Sequence, residues 1–304
     1  MSTISSLYPG AKVALLSVSS AVSEERLEPS IQAVKDLGLE PVVYPSCYYV
    51  NRHGYFSADD AARAKDLQDA FAEASIQGIL CIRGGYGASR ILPLLNWRAI
   101  AQHPKVFCGY SDVTALHTAL NQRCHMVTFH TPMPANDYYG GSDEFTMTYL
   151  RRALFGALTG PLPMGNTVET LQSGRATGVL CGGNLSLVRD SLGTPWELDT
   201  KGKILFLEDV GEHNHNLDRM LTQLRNAGKF DDCAGILFGY WTDCSPEEPE
   251  RTLEIAEIIR EVVLPCGKPV LSGLPCGHSQ PTMSLPLGLT VVMDADEKTL
   301  EALA

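Results

Sequence analysis

The stretch Val106-Phe107-Cys108-Gly109-Tyr110-Ser111-Asp112-Val113-Thr114-Ala115-Leu116 passes from a short apolar strand straight into a helical pattern. A serine at so tight a strand-to-helix turn is pushed out of the sheet, and the amides that follow it point at whatever it attacks. A Gly followed by Ser or Asp also serves as ordinary helix-capping chemistry. The rest of the chain has to decide between the two.

On both sides of this turn strands and helices alternate. Short apolar runs predict strands over 12–16, 41–44, 78–82, 106–108 and 126–129, with helices over 24–37, 58–74, 89–95 and 112–121 between them. Helical spacing places Ala61, Ala64, Leu67, Ala70 and Phe71 on one face of the second helix. The continuously apolar 78–82 run fits a parallel strand covered on both faces. This rhythm predicts an α/β fold, an N-terminal doubly wound, mostly parallel sheet of flavodoxin-like type, with reactive loops at the strand C-terminal ends. Pro- and Gly-rich breaks at 131–134, 140–142 and 160–165 interrupt the pattern. Strands are expected again over 178–181, 204–207, 235–238, 269–271 and 289–293, with helices near 184–192, 216–227 and 252–262. The predicted organisation is therefore an N-terminal domain over 1–135, a connector over 136–175, and a second, smaller α/β domain over 176–304. No internal repeat and no low-complexity segment is evident.

Composition narrows the partners. The 304 residues carry a net charge of −11 without a basic stripe, which argues against nucleic acid and against an anionic membrane surface. No apolar run approaches the roughly 20 residues that span a bilayer. Residues 1–5 show no basic patch leading into an apolar core, so no secretory leader is expected. The nine cysteines are odd in number and form no C-x-x-C pair, the pattern of a reduced, cytoplasmic protein.

Four loops that follow predicted strands could carry chemistry. Arg83-Gly84-Gly85-Tyr86-Gly87-Ala88-Ser89-Arg90 has three glycines that let amides approach a ligand, as in an anion or oxyanion cradle. It matches neither dinucleotide nor P-loop spacing, and its bland alternative is a turn that needs positive φ. The Ser111 turn is the second. Glu208-Asp209-Val210-Gly211-Glu212-His213-Asn214-His215 is the third, able to orient a histidine, to bind a metal through Glu208, Asp209, His213 and His215, or simply to be a solvated acidic loop. Gly277-His278-Ser279-Gln280 is the fourth, a loop histidine suited to general-base work or to no role at all. Together, the serine, the loop histidine and one carboxylate of the third loop make a serine hydrolase in the order Ser, acid, His.

At these residues the chain resembles the LD-carboxypeptidases, cytoplasmic serine peptidases that trim murein tetrapeptides, and their relatives that give immunity to microcin C. The resemblance runs through Leu7-Tyr8-Pro9-Gly10, the Arg83–Arg90 loop, Gly109-Tyr110-Ser111-Asp112, Gly182-Gly183-Asn184-Leu185, Gly193-Thr194-Pro195-Trp196, Glu208-Asp209, Arg219, Gly277-His278 and Leu285-Pro286-Leu287-Gly288. It implies Ser111 as nucleophile, His278 as general base and Glu208 as the third triad member, with Asp209 and Glu212 as neighbouring alternatives. It implies an oxyanion hole from the amides of Asp112 and of Gly84-Gly85, no metal or other cofactor, a homodimer, and a peptide substrate. One departure stands out: Thr131-Pro132-Met133 occupies the place where Gly-Pro-Met is expected.

The expected reaction is hydrolysis of the L,D-amide that releases terminal D-alanine from murein tetrapeptide. Arg83 and Arg90 are candidates to hold the substrate's free carboxylate, or else partners in structural ion pairs. The competing expectations are a microcin C immunity-type hydrolase of peptidyl or aminoacyl nucleotides, a metal hydrolase on the third loop, and a ligand-binding protein with an inert serine.

Overall fold

A computed structural model describes residues 6–49, 55–156, 158–245 and 249–303; residues 1–5, read above for a leader, lie outside them. The chain forms two compact units. The first comprises Met1–Leu158 and Met283–Gly288, and the second Thr159–Thr282 and Leu289–Ala304.

The first unit runs β1 (Lys12–Leu16), α1 (Glu24–Asp36), β2 (Glu40–Val43), α2 (Asp60–Ala72), β3 (Gly78–Cys81), α3 (Ala88–Ile91), α4 (Trp97–Ala101), β4 (Val106–Gly109), α5 (Thr114–Cys124), β5 (Thr128–His130) and α6 (Glu144–Leu154). β1 to β5 are parallel in the order 2-1-3-4-5, the doubly wound arrangement read from the sequence. All residues of β3 and β4 are buried, as a sheet covered on both faces requires. Between Leu94 and the β4 strand lies α4, a helix the apolar pattern did not signal; Asn96 caps it by accepting from the Ala99 amide at 3.1 Å.

The apolar face of α2 differs from expectation at one position. Ala61 is exposed, and Arg63 is fully buried beside Ala64, Leu67, Ala70 and Phe71. The physical reason is that the guanidinium finds acceptors inside the unit, described below, that compensate its removal from water.

A further edge strand comes from far down the chain. β12 (Leu285–Leu287) pairs antiparallel with β5, Leu285 opposite His130 and Leu287 opposite Thr128. Pro286 fits there because an edge strand has one side on which no ladder donor is needed.

The second unit contains β6 (Gly160–Leu162), β7 (Glu169–Gln172), β8 (Arg175–Asn184), α7 (Leu185–Asp190), β9 (Ile204–Val210), α8 (Asn214–Asn226), α9 (Lys229–Asp232), β10 (Gly235–Thr242), α10 (Ile255–Val262), β11 (Val270–Ser272), β13 (Thr290–Asp294) and β14 (Thr299–Ala302). Its strand order is β6-β14-β13-β8-β9-β10-β11-β7, with β8 to β11 parallel and the outer pairs antiparallel. α8 turns Leu217, Met220, Leu221 and Leu224 inward at helical spacing, onto Leu205, Leu207 and Phe238 of the sheet. Each such side chain contributes about 1.5–3 kcal/mol by leaving water.

All nine cysteines are free, and burial pushes most of their thiols up, Cys108 and Cys181 to about 12. Among the described residues no helix is long and apolar enough to cross a membrane.

Candidate active site

β4 ends at Gly109, and Ser111 follows at φ 63°, in the left-handed region that a non-glycine residue enters at a cost of about 1–2 kcal/mol. A single 3₁₀ turn, Ser111–Val113, leads from there into α5. The turn between β4 and α5 is therefore a tight one, with Ser111 in a sparsely populated backbone conformation. Gly84 lies against it: a Cβ on Gly84 would stand 3.1 Å from Ser111 Oγ and 3.3 Å from Met133 Cε. The Thr131-Pro132-Met133 departure consequently sits beside the serine. Thr131 donates its amide to the Gly109 carbonyl at 3.0 Å, and Met133 is wholly buried.

The glycine-rich loop is laced to the loop after β1. Ser20 donates its amide to Gly84 O at 3.4 Å, and its hydroxyl accepts from the Tyr86 amide at 3.2 Å. Gly85 has φ 115°, and a Cβ there would meet Ser20 Oγ at 2.3 Å, so only glycine fits. The carboxylate of Asp112 is almost fully buried; it accepts from Ser19 Oγ at 2.5 Å and from the Ala88 amide at 2.8 Å. Burial pushes this carboxyl up, and the two donors hold it down. Arg63 completes the lacing. It donates to the carbonyls of Val18 and Gly87, to Ala58 O at 3.2 Å and to Asp60 Oδ1 at 2.5 Å. Three loops at the C-terminal ends of β1, β3 and β4 are thus tied by two buried charged side chains.

The resemblance assigned Asp112 through its amide and did not mark its carboxylate or Arg63. The signal for Arg63 was present: it stands four and seven residues before Leu67 and Ala70, on the apolar face.

The two arginines of the loop separate. Arg90 pairs with Asp60 at 2.7 Å and stacks over Phe56, a structural ion pair. Arg83 is half-buried and donates to Ala21 O at 2.9 Å and to Gly84 O at 3.2 Å. Burial and then the Arg26 guanidinium depress its pKa, and among the described residues no carboxylate contributes.

In the second unit, Glu208 stands near the C-terminal end of β9, between β8 and β10, and its side chain is fully buried. Its Oε2 lies 2.7 Å from Nδ1 of His278. Gly277 has φ 130°, and a Cβ there would stand 2.7 Å from Glu208 Oε2, so glycine lets the His278 loop close onto the carboxylate. Gly239 does the same from β10, where a Cβ would meet Cys276 O at 2.3 Å. Burial pushes Glu208 up, and the His278 imidazole pulls it back. The neighbouring carboxylates are engaged elsewhere. Asp209 accepts from Asn184 Nδ2 at 2.8 Å and from the amide and hydroxyl of Ser186 at 2.9 and 2.8 Å, at the start of α7. Glu212 accepts from Asn216 at 2.9 Å. The rings of His213 and His215 stack at 5.7 Å, and among the described residues no group of three or more His, Cys, Asp or Glu side chains could hold a metal ion.

The structure thus brings Gly84, Gly85, Asp112 and Arg83 around the Ser111 turn in the first unit, and joins Glu208 to His278 in the second. Residues 13–131 match the LD-carboxypeptidase N-terminal domain and residues 177–293 the LD-carboxypeptidase C-terminal domain. The chain is 36% identical over 298 residues to a probable murein peptide carboxypeptidase of Bacillus subtilis (strain 168), covering 96% of this chain and 92% of that one. A crystallised muramoyltetrapeptide carboxypeptidase from Oxalobacter formigenes superposes with TM-score 0.82 at 25% identity, covering 96% of this chain and 97% of that one. MccF in complex with glutamyl sulfamoyl guanosine shares the fold, with TM-score 0.89 at 23% identity over 99% of this chain and 98% of its own. These matches define a serine-type carboxypeptidase. The chain belongs to the LD-carboxypeptidase family.

Proposed function

We propose that the chain hydrolyses the L,D-amide that releases terminal D-alanine from murein tetrapeptide, free or sugar-linked, through Ser111, His278 and Glu208. The observation that carries this reading is the Glu208–His278 hydrogen bond at 2.7 Å, made by a carboxylate with no exposed surface. A buried carboxylate holding Nδ1–H leaves Nε2 with the lone pair, which is the tautomer a general base needs. Chain connectivity supports the partnership. Seven residues after His278 the chain enters β12, which pairs with β5 in the serine's own sheet.

Ser111 Oγ attacks the scissile carbonyl while His278 Nε2 takes its proton. The oxyanion is met by the amides of Asp112, Gly84 and Gly85, a donor of this kind contributing about 2.7–4 kcal/mol. His278 protonates the leaving D-alanine amine, then deprotonates the water that releases the acyl group from Ser111. Arg83, which pairs with no carboxylate of its own among the described residues, holds the terminal carboxylate of the substrate. No step calls on a metal. We place the reaction in the cytoplasm, in keeping with nine free cysteines, and in a homodimer, as the family resemblance implies.

A substrate panel tests the reading. Murein tetrapeptide is expected to release D-alanine with kcat/KM about 100-fold or more above that for a glutamyl sulfamoyl nucleotide, the scale on which a site built for polar contacts discriminates. The reverse preference would replace the murein reading with the immunity-type one. The oxyanion arrangement makes a second prediction. Gly84→Ala puts a methyl 3.1 Å from Ser111 Oγ. It is expected to lower kcat about 100-fold with little change in unfolding temperature, since displacements of about 1 Å near the reacting atoms have this effect. An unchanged kcat would remove Gly84 from the oxyanion site.

A further inference from the structure

His117 is wholly removed from solvent, unlike the partly exposed His278, and the chemistry above leaves it without a task. It lies in the first turn of α5, with its ring edge-on to Phe107 at 5.4 Å between centroids. Nε2 is 2.8 Å from the carbonyl of Gly109, and Nδ1 is 2.8 Å from the hydroxyl of Thr128. These partners determine the ring's protonation. A carbonyl can only accept, so Nε2 bears the hydrogen. Thr128 Oγ1 already receives a hydrogen from Asn121 Nδ2 at 3.1 Å, so its own proton is available to Nδ1. Burial depresses the imidazole to about 4, although the Gly109 carbonyl opposes this, and the ring is neutral at physiological pH.

Satisfaction of buried groups does not require this arrangement. The Gly109 carbonyl already accepts the Thr131 amide at 3.0 Å, and an apolar side chain could fill the space beside Phe107. The second donor on Gly109 instead fixes the plane of the peptide that enters the Ser111 elbow. The hydrogen-bond chain continues outward. Asn121 also donates to Met126 O at 2.8 Å and to Leu287 O of β12 at 3.2 Å. Gly288, at φ 90°, would press a Cβ to 2.9 Å from Asn121 Nδ2, so glycine is needed to let β12 close on it. A continuous path therefore runs from β12 through Asn121, Thr128 and His117 to the peptide two residues before the serine.

We propose that His117 is a positioning residue for the nucleophile: oriented by Thr128 at Nδ1 and carrying its hydrogen on Nε2, it holds the Gly109 carbonyl so that Ser111 is kept in its left-handed conformation with Oγ presented for attack. The inference rests on the reading of Ser111 as the nucleophile. It differs from that reading in making the serine's reactivity depend on a histidine that neither touches substrate nor exchanges a proton in the reaction.

The test is fluorophosphonate labelling of the full chain, with the maximal labelling rate separated from probe affinity and thermal unfolding followed on the same samples. His117→Phe is expected to label about 10–100-fold more slowly at saturating probe, with probe affinity changed less than about threefold. His117→Gln, whose amide can still donate to Gly109, is expected to recover at least about tenfold of any hundredfold loss. A folded His117→Phe that labels at the wild-type rate overturns the proposal. Equal slowing in the Phe and Gln variants also does, because it reports packing alone. Should the Phe variant not fold, Thr128→Val carries the test. Without the hydroxyl the Gly109 carbonyl still holds Nε2–H but Nδ1 loses its donor, so nitrogen NMR is expected to show the Nδ1 resonance move to that of an unbonded imidazole nitrogen, together with labelling about 3–10-fold slower. A wild-type labelling rate in the folded Thr128→Val variant overturns the proposal there. Ser111→Ala separates the two readings: persistent labelling in that variant removes the nucleophile itself, whereas its loss alongside unaffected His117 variants removes only the positioning role.

Discussion

Ser111→Ala is expected to reduce D-alanine release by about 10⁴- to 10⁶-fold, the range seen when the nucleophile of a concerted triad is removed. Fluorophosphonate labelling should disappear with it. The rest of the site stays in place, because the lacing of the three loops runs through Arg63 and the Asp112 carboxylate and not through the serine hydroxyl. The residual rate over water then reports what the glycine-loop amides and substrate binding contribute alone. A companion substitution separates chemistry from strain. At φ 63° any residue with a Cβ is disfavoured, so Ser111→Gly should be inactive yet more stable than wild type by about 1 kcal/mol, read from denaturant unfolding. Turnover in either variant within tenfold of wild type would exclude Ser111 as the nucleophile.

Glu208→Gln is expected to lower kcat by about 10³- to 10⁴-fold with a much smaller change in KM, as in a serine protease whose triad aspartate is replaced by asparagine. Burial pushes this carboxyl up and the His278 imidazole pulls it back; in the proposed reaction the carboxylate stabilises the positive charge that His278 gains. An amide cannot stabilise that charge. If its NH₂ turns toward Nδ1, the ring is forced into the tautomer whose Nε2 carries the hydrogen and cannot accept one. The neighbouring carboxylates give the contrast. Asp209→Asn disturbs the cap at Ser186 and Asn184 and should act mainly on stability, and Glu212→Gln touches only a hydrogen bond to Asn216. A Glu208→Gln enzyme as active as wild type, beside an inactive Asp209 variant, would reassign the acid.

The strand–helix alternation of the first unit was legible because a parallel sheet covered on both faces requires continuous apolar runs, and Gly78–Cys81 and Val106–Gly109 are such runs. The Ser111 turn was legible for the same reason, since only a strand end followed at once by a helical pattern produces it. Among Glu208, Asp209 and Glu212 the residue types could not decide. All three are carboxylates close together in the chain, Glu208 and Asp209 at the end of β9 and Glu212 just past it, and what separates them is which donors the folded chain brings, His278, Asn184 with Ser186, or Asn216. Arg63 and His117 were passed over because side chains of these types usually face water. Their roles depend on carbonyls such as Gly87 and Gly109 that only the tertiary fold turns toward them. β12 was invisible because three residues, one of them proline, carry almost no strand signal; its partner β5 creates it.

The return of Leu285–Leu287 to β5 bears on how this protein can be dissected. A fragment stopping at residue 158 would retain every helix and parallel strand of the first unit and still leave the β5 margin bare, with unmatched amides and carbonyls from Thr128 to His130 open to pairing with another molecule. The unit that carries Ser111 is therefore not a continuous module: the Leu285–Leu287 tripeptide is what closes its sheet, and a recombinant version needs that tripeptide grafted back onto its rim.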